Sequence, residues 1–201
     1  MTLLSRIVSY LLHPLAIPTY GALTLMFLSD QMAGIDTMIK LYFVSIVVLG
    51  TALFPLAAIT MMRAFALIPD YSLSGQNDRR LPMLLMIVCY IACLFMLREV
   101  PVTFLLRKFI LAALACVVAA LVTNSFWKIS LHMIAFGGYT ALVLVTTFAG
   151  MSHSLPLVVA TFVLGGALAS ARLYLGQHNP AQIGVGYLTG ILLTGIVLVF
   201  S

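Results

Sequence analysis

The chain has 201 residues, 63% of them hydrophobic and only 7% charged, and its ten lysines and arginines against five acidic residues give a net charge of +5. A mean hydropathy of +1.19 implies more apolar surface than one small core can bury, which excludes a soluble domain. The composition fits a polytopic membrane protein whose partner is the lipid bilayer. The basic residues are few and scattered, so they do not form a nucleic-acid-binding patch.

The amino-terminal residues have some features of a signal peptide, since Arg6 precedes an apolar stretch. His13, Pro14 and Pro18 interrupt that stretch, however, and no small-residue cleavage site follows. We therefore predict that the segment is retained and leads into the first membrane helix.

Apolar runs divide the rest of the chain into segments long enough to cross a membrane, which takes about 17 to 25 residues. The runs lack the alternation of a strand, and no polar linker marks a second domain. We predict one all-α transmembrane bundle over residues 1–201 with seven spans, or alternatively six. The predicted spans are approximately residues 11–29, 40–62, 83–98, 104–123, 131–150, 155–172 and 182–200.

Three breaks between these spans carry basic residues and histidines. The first break holds Arg79 and Arg80, the second holds Lys128, Ser130 and His132, and the third holds Arg172 and His178. Two predicted spans separate each cluster from the next, so all three lie on one membrane face and can meet. Charges at a membrane boundary are costly to desolvate, so their presence there indicates a functional site. The planar guanidinium group of arginine matches phosphate oxygens with its forked donors, so we predict that this site binds phosphate.

The two histidines add chemistry to this binding site. One imidazole can attack phosphorus while the other protonates the departing oxygen, and the arginines can stabilise the negative charge that develops. The three cysteines all lie in apolar runs and are too few to predict a disulfide framework or a metal site.

Three short motifs resemble the signatures of the type 2 phosphatidic acid phosphatase superfamily, over about residues 70 to 190. The motifs are Arg80-x-Pro82, Ser130-x-His132 and Arg172-x5-His178. The resemblance implies a helical membrane enzyme that removes phosphate from lipid phosphates through a phosphohistidine intermediate, without a metal or other cofactor. It implies that His178 is the nucleophile and His132 the general acid, with Arg172, Arg80 and Ser130 binding the phosphate.

The chain departs from the family signatures at positions that bear on activity. Gln182 occupies the place of the aspartate that orients the nucleophilic imidazole, so it can accept a hydrogen bond but cannot stabilise an imidazolium. Leu73 stands where the first signature has lysine. Lys128 or Arg79 is expected to replace that cation, because a phosphate accepts a charge partner from any loop.

Three functions remain open at this point. The favoured one is an integral membrane phosphatase that acts on a lipid phosphate or diphosphate. The second is a weak or inactive relative that binds lipid phosphates without turning them over, as Gln182 and Leu73 would suggest. The third and least favoured is a small transporter, for which polar residues in the middle of the spans would be expected.

Basic residues outside the three clusters indicate the orientation in the membrane. Lysine and arginine prefer cytoplasmic loops, and more of these residues fall on the side opposite the clusters. We therefore predict that the site faces the periplasm from a bacterial inner membrane, and the sequence leaves the oligomeric state open. The residues compared are Arg6 and Arg63 on the cluster side against Lys40, Arg98, Arg107 and Lys108 on the other.

Overall fold

A computed structural model of the chain describes residues 1–69, 75–98, 103–152 and 154–200, which form helices and turns without any strand. Leu73 lies outside these ranges. The helices are α1 (Thr2–Leu11), α2 (Ile17–Leu28), α3 (Thr37–Ala64), α4 (Arg80–Met96), α5 (Phe104–Asn124), α6 (Leu131–Phe148), α7 (Leu155–Tyr174) and α8 (Pro180–Phe200).

Five of these helices, α3 and α5 to α8, are long and apolar enough to cross a membrane. The all-helical fold and the integral membrane class are thereby confirmed, but seven full spans are not. Helix α2 has only 12 residues and α4 has 17. At 1.5 Å per residue α2 is about 18 Å long, well short of a hydrocarbon layer of about 30 Å.

The first predicted span, 11–29, is wrong as a single helix because the chain turns between α1 and α2. A residue that precedes proline is disfavoured in helical conformation, so His13 before Pro14 ends the regular structure. The His13 Nδ1 atom instead accepts a hydrogen bond from the Leu15 N–H at 3.3 Å. Pro18 is tolerated inside α2 because it lies in the first turn, where its missing N–H leaves no bond unmade.

Helix α3 accommodates an internal proline by a local change of helical pitch. Pro55 lacks an N–H, and the turn that precedes it, Leu49–Leu53, is π-helical. The Thr51 hydroxyl lies within this turn and donates to the Val47 carbonyl at 2.8 Å. One continuous span therefore runs from Thr37 to Ala64.

Glycines bring the backbones of helices α6 and α8 into direct contact. A Cβ on Gly137 would collide with the Tyr187 carbonyl oxygen, and a Cβ on Gly190 would collide with the Ile134 carbonyl oxygen. The Tyr187 hydroxyl then donates to Thr140 Oγ1 at 3.1 Å. Small residues at a helix interface allow such close approach within a membrane.

We expect Gly190→Ala to lower the free energy of unfolding by about 3 kcal/mol, because the added methyl group meets backbone that cannot rotate away. Gly195→Ala is the matched control on the same helix, since a Cβ there has no neighbour within 4 Å. It should leave stability unchanged or raise it by up to about 1 kcal/mol through helix propensity. Unfolding of the purified proteins in detergent measures both, and equal effects would contradict the close contact.

The end of the bundle away from the three clusters, here called the far end, is held by local contacts. The Asp30 N–H donates to the Met151 carbonyl at 2.9 Å, which ties the end of α2 to the turn between α6 and α7. The Arg98 guanidinium lies 3.8 Å from the centroid of the Phe95 ring. An Arg107 N–H donates to the Arg98 carbonyl at 2.7 Å. Basic side chains at this end thus contact neighbouring rings and backbone.

Candidate active site

A cavity of about 530 Å³ opens at the end of the bundle that is opposite the far end. Its lining includes at least one residue from each of the three predicted clusters. These are Arg79 from the first, His132 from the second, and Arg172 and His178 from the third. No carboxylate lines it within the described ranges of the chain. The cavity therefore concentrates positive charge and imidazole rings at one place.

The turn between α7 and α8 carries His178 into this cavity. Gly176, with a φ of +63°, follows the end of α7 in the left-handed conformation that glycine adopts readily. The Gly176 N–H donates to the Leu173 carbonyl at 2.9 Å and the Gln177 N–H to the Arg172 carbonyl at 3.2 Å. These are the two bonds of a Schellman motif, which ends α7 and turns the chain.

Helix α8 begins with a capping box that also holds the imidazole of His178. The Asn179 side-chain oxygen accepts from the Gln182 N–H at 2.9 Å, and Gln182 Oε1 accepts from the Asn179 N–H at 3.2 Å. The same Oε1 lies 3.0 Å from His178 Nδ1. Because this oxygen already accepts a backbone hydrogen, Nδ1 is the donor, which leaves a lone pair on Nε2. Gln182 itself lies outside the cavity and positions His178.

The surroundings of His178 favour its neutral form. Burial lowers the pKa of His178 to about 4; Arg79, Arg172 and Lys128 lower it as well, whereas the hydrogen bond to Gln182 raises it. Only 8% of the residue is exposed. At neutral pH the imidazole is therefore uncharged, as a nitrogen nucleophile must be.

Arg79 reaches the cavity and its neighbour Arg80 does not. Arg79 is buried, lines the cavity and donates to the Ile129 carbonyl at 3.3 Å. Arg80 is the first residue of α4 and is exposed outside the cavity. Reciprocal hydrogen bonds between Gln76 and Asn124 fasten the segment before Arg79 to the end of α5.

Arg172 offers an unused donor to a ligand. It lies in the last turn of α7, and its Nε atom is buried without a hydrogen-bond partner. Such an unpaired charged donor is costly unless a ligand or water satisfies it.

Lys128 and Ser130 belong to the second predicted cluster but lie outside the cavity lining. Burial lowers the pKa of Lys128, and so do Arg79 and Arg172, which places the three cations within electrostatic reach of one another. The Ser130 hydroxyl is fully buried just before α6 and has no hydrogen-bond partner. Neither residue lines the cavity.

The turn between α1 and α2 contributes residues to the site that sequence reasoning did not assign to it. The His13 ring lies edge-on to the His132 ring, with 5.3 Å between their centroids, and lines the cavity. Burial, together with Arg172, lowers the pKa of His13. The backbone of Ser9 in α1 also lies within interaction range of the His132 ring. The general-acid candidate is therefore held from the amino-terminal side.

One signal for these residues exists in the sequence. Arg6 and Ser9 lie three residues apart on α1, and the further spacing of four residues to His13 continues the same side past the helix end at Leu11. Leu3, Leu4 and Ile7 are all exposed. An amphipathic pattern, rather than an uninterrupted apolar run, marks α1.

We expect Gln182→Glu to raise the pKa of His178 by about one unit or more, because a carboxylate stabilises the imidazolium that an amide does not. The acid limb of any activity that needs neutral His178 should move to higher pH accordingly. Glutamate also preserves the capping box, so the fold should remain intact. Titration of isotope-labelled histidine side chains by NMR measures the shift.

Gln177→Glu is the matched control for this change. Gln177 lines the cavity in the same turn, so the substitution adds the same charge without the bond to His178. It should raise the pKa of His178 less than Gln182→Glu does. Equal shifts in the two variants would show that the hydrogen bond from His178 to Gln182 does not set the pKa of His178.

Comparison of the chain with models of protein families, with curated proteins and with solved structures finds no match. What the protein does must therefore be inferred from the chemistry of the cavity.

Proposed function

We propose that this integral membrane protein is a phosphatase that removes phosphate from a lipid phosphate or diphosphate through a phosphohistidine intermediate. The observation that carries the proposal is the meeting of Arg79, Arg172, His132 and His178 in one cavity, whose lining from the described residues holds no carboxylate. The motifs that resemble the type 2 phosphatidic acid phosphatases provide these four residues or their direct neighbours.

Arg79 and Arg172 bind the phosphate in this proposal. Their guanidinium groups present forked donors that match phosphate oxygens, and the unpaired Nε of Arg172 gains a partner when an anion arrives. Lys128 does not line the cavity, but it adds to the positive potential there because a charge acts without direct contact.

In the first chemical step His178 Nε2 attacks phosphorus while the bond from phosphorus to the lipid oxygen breaks. His132 donates a proton to that oxygen, so the lipid leaves as an alcohol, or as a monophosphate from a diphosphate substrate. The dianionic phosphate favours the charged form of the neighbouring His132 ring before transfer.

In the second step water attacks the phosphorus of phosphohistidine and gives its proton to His132. The nitrogen–phosphorus bond breaks, inorganic phosphate leaves and His178 returns to its neutral form. Arg79 and Arg172 stabilise the charge on the transferring group in both steps, and no metal or other cofactor is required.

The proposed location is a bacterial inner membrane with the cavity facing the periplasm. Four basic residues outside the site lie toward the far end, which suits the cytoplasmic side. They are Lys40, Arg98, Arg107 and Lys108.

The test is release of inorganic phosphate from lipid phosphates and lipid diphosphates by the purified protein in detergent. Wild type should release phosphate and should carry an acid-labile phosphoryl group on a peptide that contains His178 after rapid quenching. Release without any phosphoryl group on His178 would refute the intermediate. Absence of release from every lipid tested would refute the enzyme.

A second candidate function, binding of lipid phosphates without turnover, is favoured by one observation. The acceptor for His178 Nδ1 is the neutral amide of Gln182 rather than a carboxylate. If wild type is inert and Gln182→Glu or Gln182→Asp restores release, the chain is a binder that keeps the site of an enzyme. Activity in the wild type would remove this alternative.

A further inference from the structure

Helix α1 and the turn that follows it give the cavity a polar side to which the proposed reaction assigns no role. Arg6 and Ser9 on α1 and His13 in the turn all line the cavity. Each of these side chains carries a hydrogen-bond donor, and Arg6 adds a permanent positive charge. Such a set of donors suits an anion.

Two of these side chains hold a donor ready for a ligand. Ser9 is 8% exposed, and its hydroxyl oxygen is buried without a hydrogen-bond partner among the described residues. The His13 Nδ1 atom accepts from the Leu15 N–H at 3.3 Å, so Nε2 carries the hydrogen of the neutral ring. A buried hydroxyl without a partner is costly, and a ligand that accepts its hydrogen bond removes that cost.

These donors lie beside His132. The centroid of the His13 ring is 5.3 Å from that of His132. The charges that act on His178, by contrast, include those of Arg79 and Arg172. Arg172 also lies within electrostatic range of His132. The cavity therefore has one group of donors around each histidine, and the two groups share Arg172.

The proposed transfer places different parts of a substrate against these two groups. As the bond from His178 Nε2 to phosphorus forms, the bond from that phosphorus to the oxygen protonated by His132 breaks. The attacking and leaving atoms lie on opposite sides of phosphorus, so the leaving group begins at His132 and extends along Ser9 and His13. A second phosphate can accept hydrogen bonds there, whereas the first carbons of an alkyl chain cannot.

We propose that Arg6, Ser9 and His13 form a second anion subsite, which binds the leaving phosphate of a diphosphate and makes diphosphates the preferred ligands of the cavity. The order of the two phosphates rests on the proposed function, whereas the subsite rests on its own donors. Arg6 is exposed and lines the cavity, so it adds a cation at the opening. The donors recognise the diphosphate group itself, whether it is linked to a lipid or free.

The neutral amide of Gln182 favours the same substrate class. It accepts from His178 Nδ1 but does not stabilise the cation that develops on the attacking ring as a carboxylate would. A good leaving group makes up for a weakly activated nucleophile. A phosphate, whose second pKa is about 6, leaves as an anion, whereas an alkoxide needs a full proton from His132.

The experiment is equilibrium binding of phosphonates to the full protein in detergent, since their phosphorus–carbon bonds resist cleavage. The dodecyl monoester of methylenediphosphonic acid should bind at least about tenfold more tightly than dodecylphosphonic acid. Methylenediphosphonic acid and methylphosphonic acid repeat the comparison without a hydrocarbon chain. Tighter binding of the dodecyl diphosphonate than of the free diphosphonate identifies a lipid as the source, and equal binding identifies a soluble diphosphate. Both results support the subsite.

Ser9→Ala separates a binding role from a structural one. The variant loses a hydroxyl that has no partner among the described residues, so its unfolding temperature should stay the same or rise. It should bind the dodecyl diphosphonate about tenfold more weakly and the monophosphonate less than about twofold more weakly. Ser5→Ala is the matched control, since Ser5 lies on the same helix outside the cavity lining. It should change neither affinity.

Arg6→Gln tests the cation of the subsite. It should weaken binding of the dodecyl diphosphonate up to about fivefold, the scale of a partly solvated charge pair, and should leave the monophosphonate nearly unchanged. Arg63→Gln is the matched control, because Arg63 is exposed in the last turn of α3 and does not line the cavity. Equal effects of the two variants would show that Arg6 acts only through the net charge of the protein and would remove it from the subsite.

The outcomes separate this inference from the proposed function. A diphosphonate preference that Ser9→Ala abolishes, in a protein that releases no phosphate, would support the subsite and leave only the binding function. Phosphate release together with equal affinity for the two dodecyl probes would overturn the subsite and leave the phosphatase standing. An equal loss of affinity for both probes in Ser9→Ala would also overturn it.

Discussion

His178→Ala is expected to lower the rate of phosphate release by about four orders of magnitude, the scale on which an enzyme loses activity with its nucleophile. The phosphoryl group trapped on the protein should disappear completely. Binding of a lipid phosphate should change by less than about tenfold, because Arg79 and Arg172 remain in the cavity. Quenched-flow labelling and equilibrium binding measure the two effects separately.

A loss of activity because the His178→Ala variant is less stable must be distinguished from a loss of activity because the nucleophile is gone. His178 is buried and donates a hydrogen bond to Gln182, so the unfolding temperature of the variant should be measured beside its activity. A stable variant that still turns over at a tenth of the wild-type rate would show that His178 is not the nucleophile.

Arg79→Gln and Arg80→Gln are expected to differ by about a hundredfold or more in phosphate release, although the two residues are adjacent. Arg79 is 5% exposed and lines the cavity, whereas Arg80 is exposed outside it. Removing a guanidinium that stabilises a transferring phosphoryl group costs about 10³-fold, and removing a surface charge costs little.

The arginine pair also tests the structure against the family signature. Alignment of Arg80-x-Pro82 with the first signature assigns the phosphate to Arg80, but the cavity contains Arg79 instead. Steady-state rates for the two variants, with Arg107→Gln at the far end as a third, decide between them. A larger loss in Arg80→Gln would favour the signature and contradict the geometry.

Much of the fold could be predicted because membrane spans follow from local composition. The predicted segment 104–123 became Phe104–Asn124, and 155–172 became Leu155–Tyr174. The amino-terminal region could not be predicted in this way. Its short helices α1 and α2 are separated by a proline turn, and α1 is amphipathic rather than apolar throughout.

The turns that meet at the site could be predicted, but the directions in which their side chains point could not. Counting spans placed the clusters of Arg79, His132 and His178 at one end, and these residues do share a cavity. Which of two adjacent arginines points inward depends on the rotation of α4, which tertiary packing decides. The contact between His13 and His132 joins residues far apart in the chain, and no local pattern encodes it.

The backbone contact between α6 and α8 constrains any redesign of the cavity. Gly137 meets the Tyr187 carbonyl and Gly190 meets the Ile134 carbonyl, so this contact cannot be loosened by shortening a side chain. A redesign that admits bulkier molecules would therefore keep α6 and α8 together and shorten a lining side chain on another helix, for example Met86 on α4. The α6–α8 pair would then act as a fixed scaffold, and selectivity would be tuned on the helices around it.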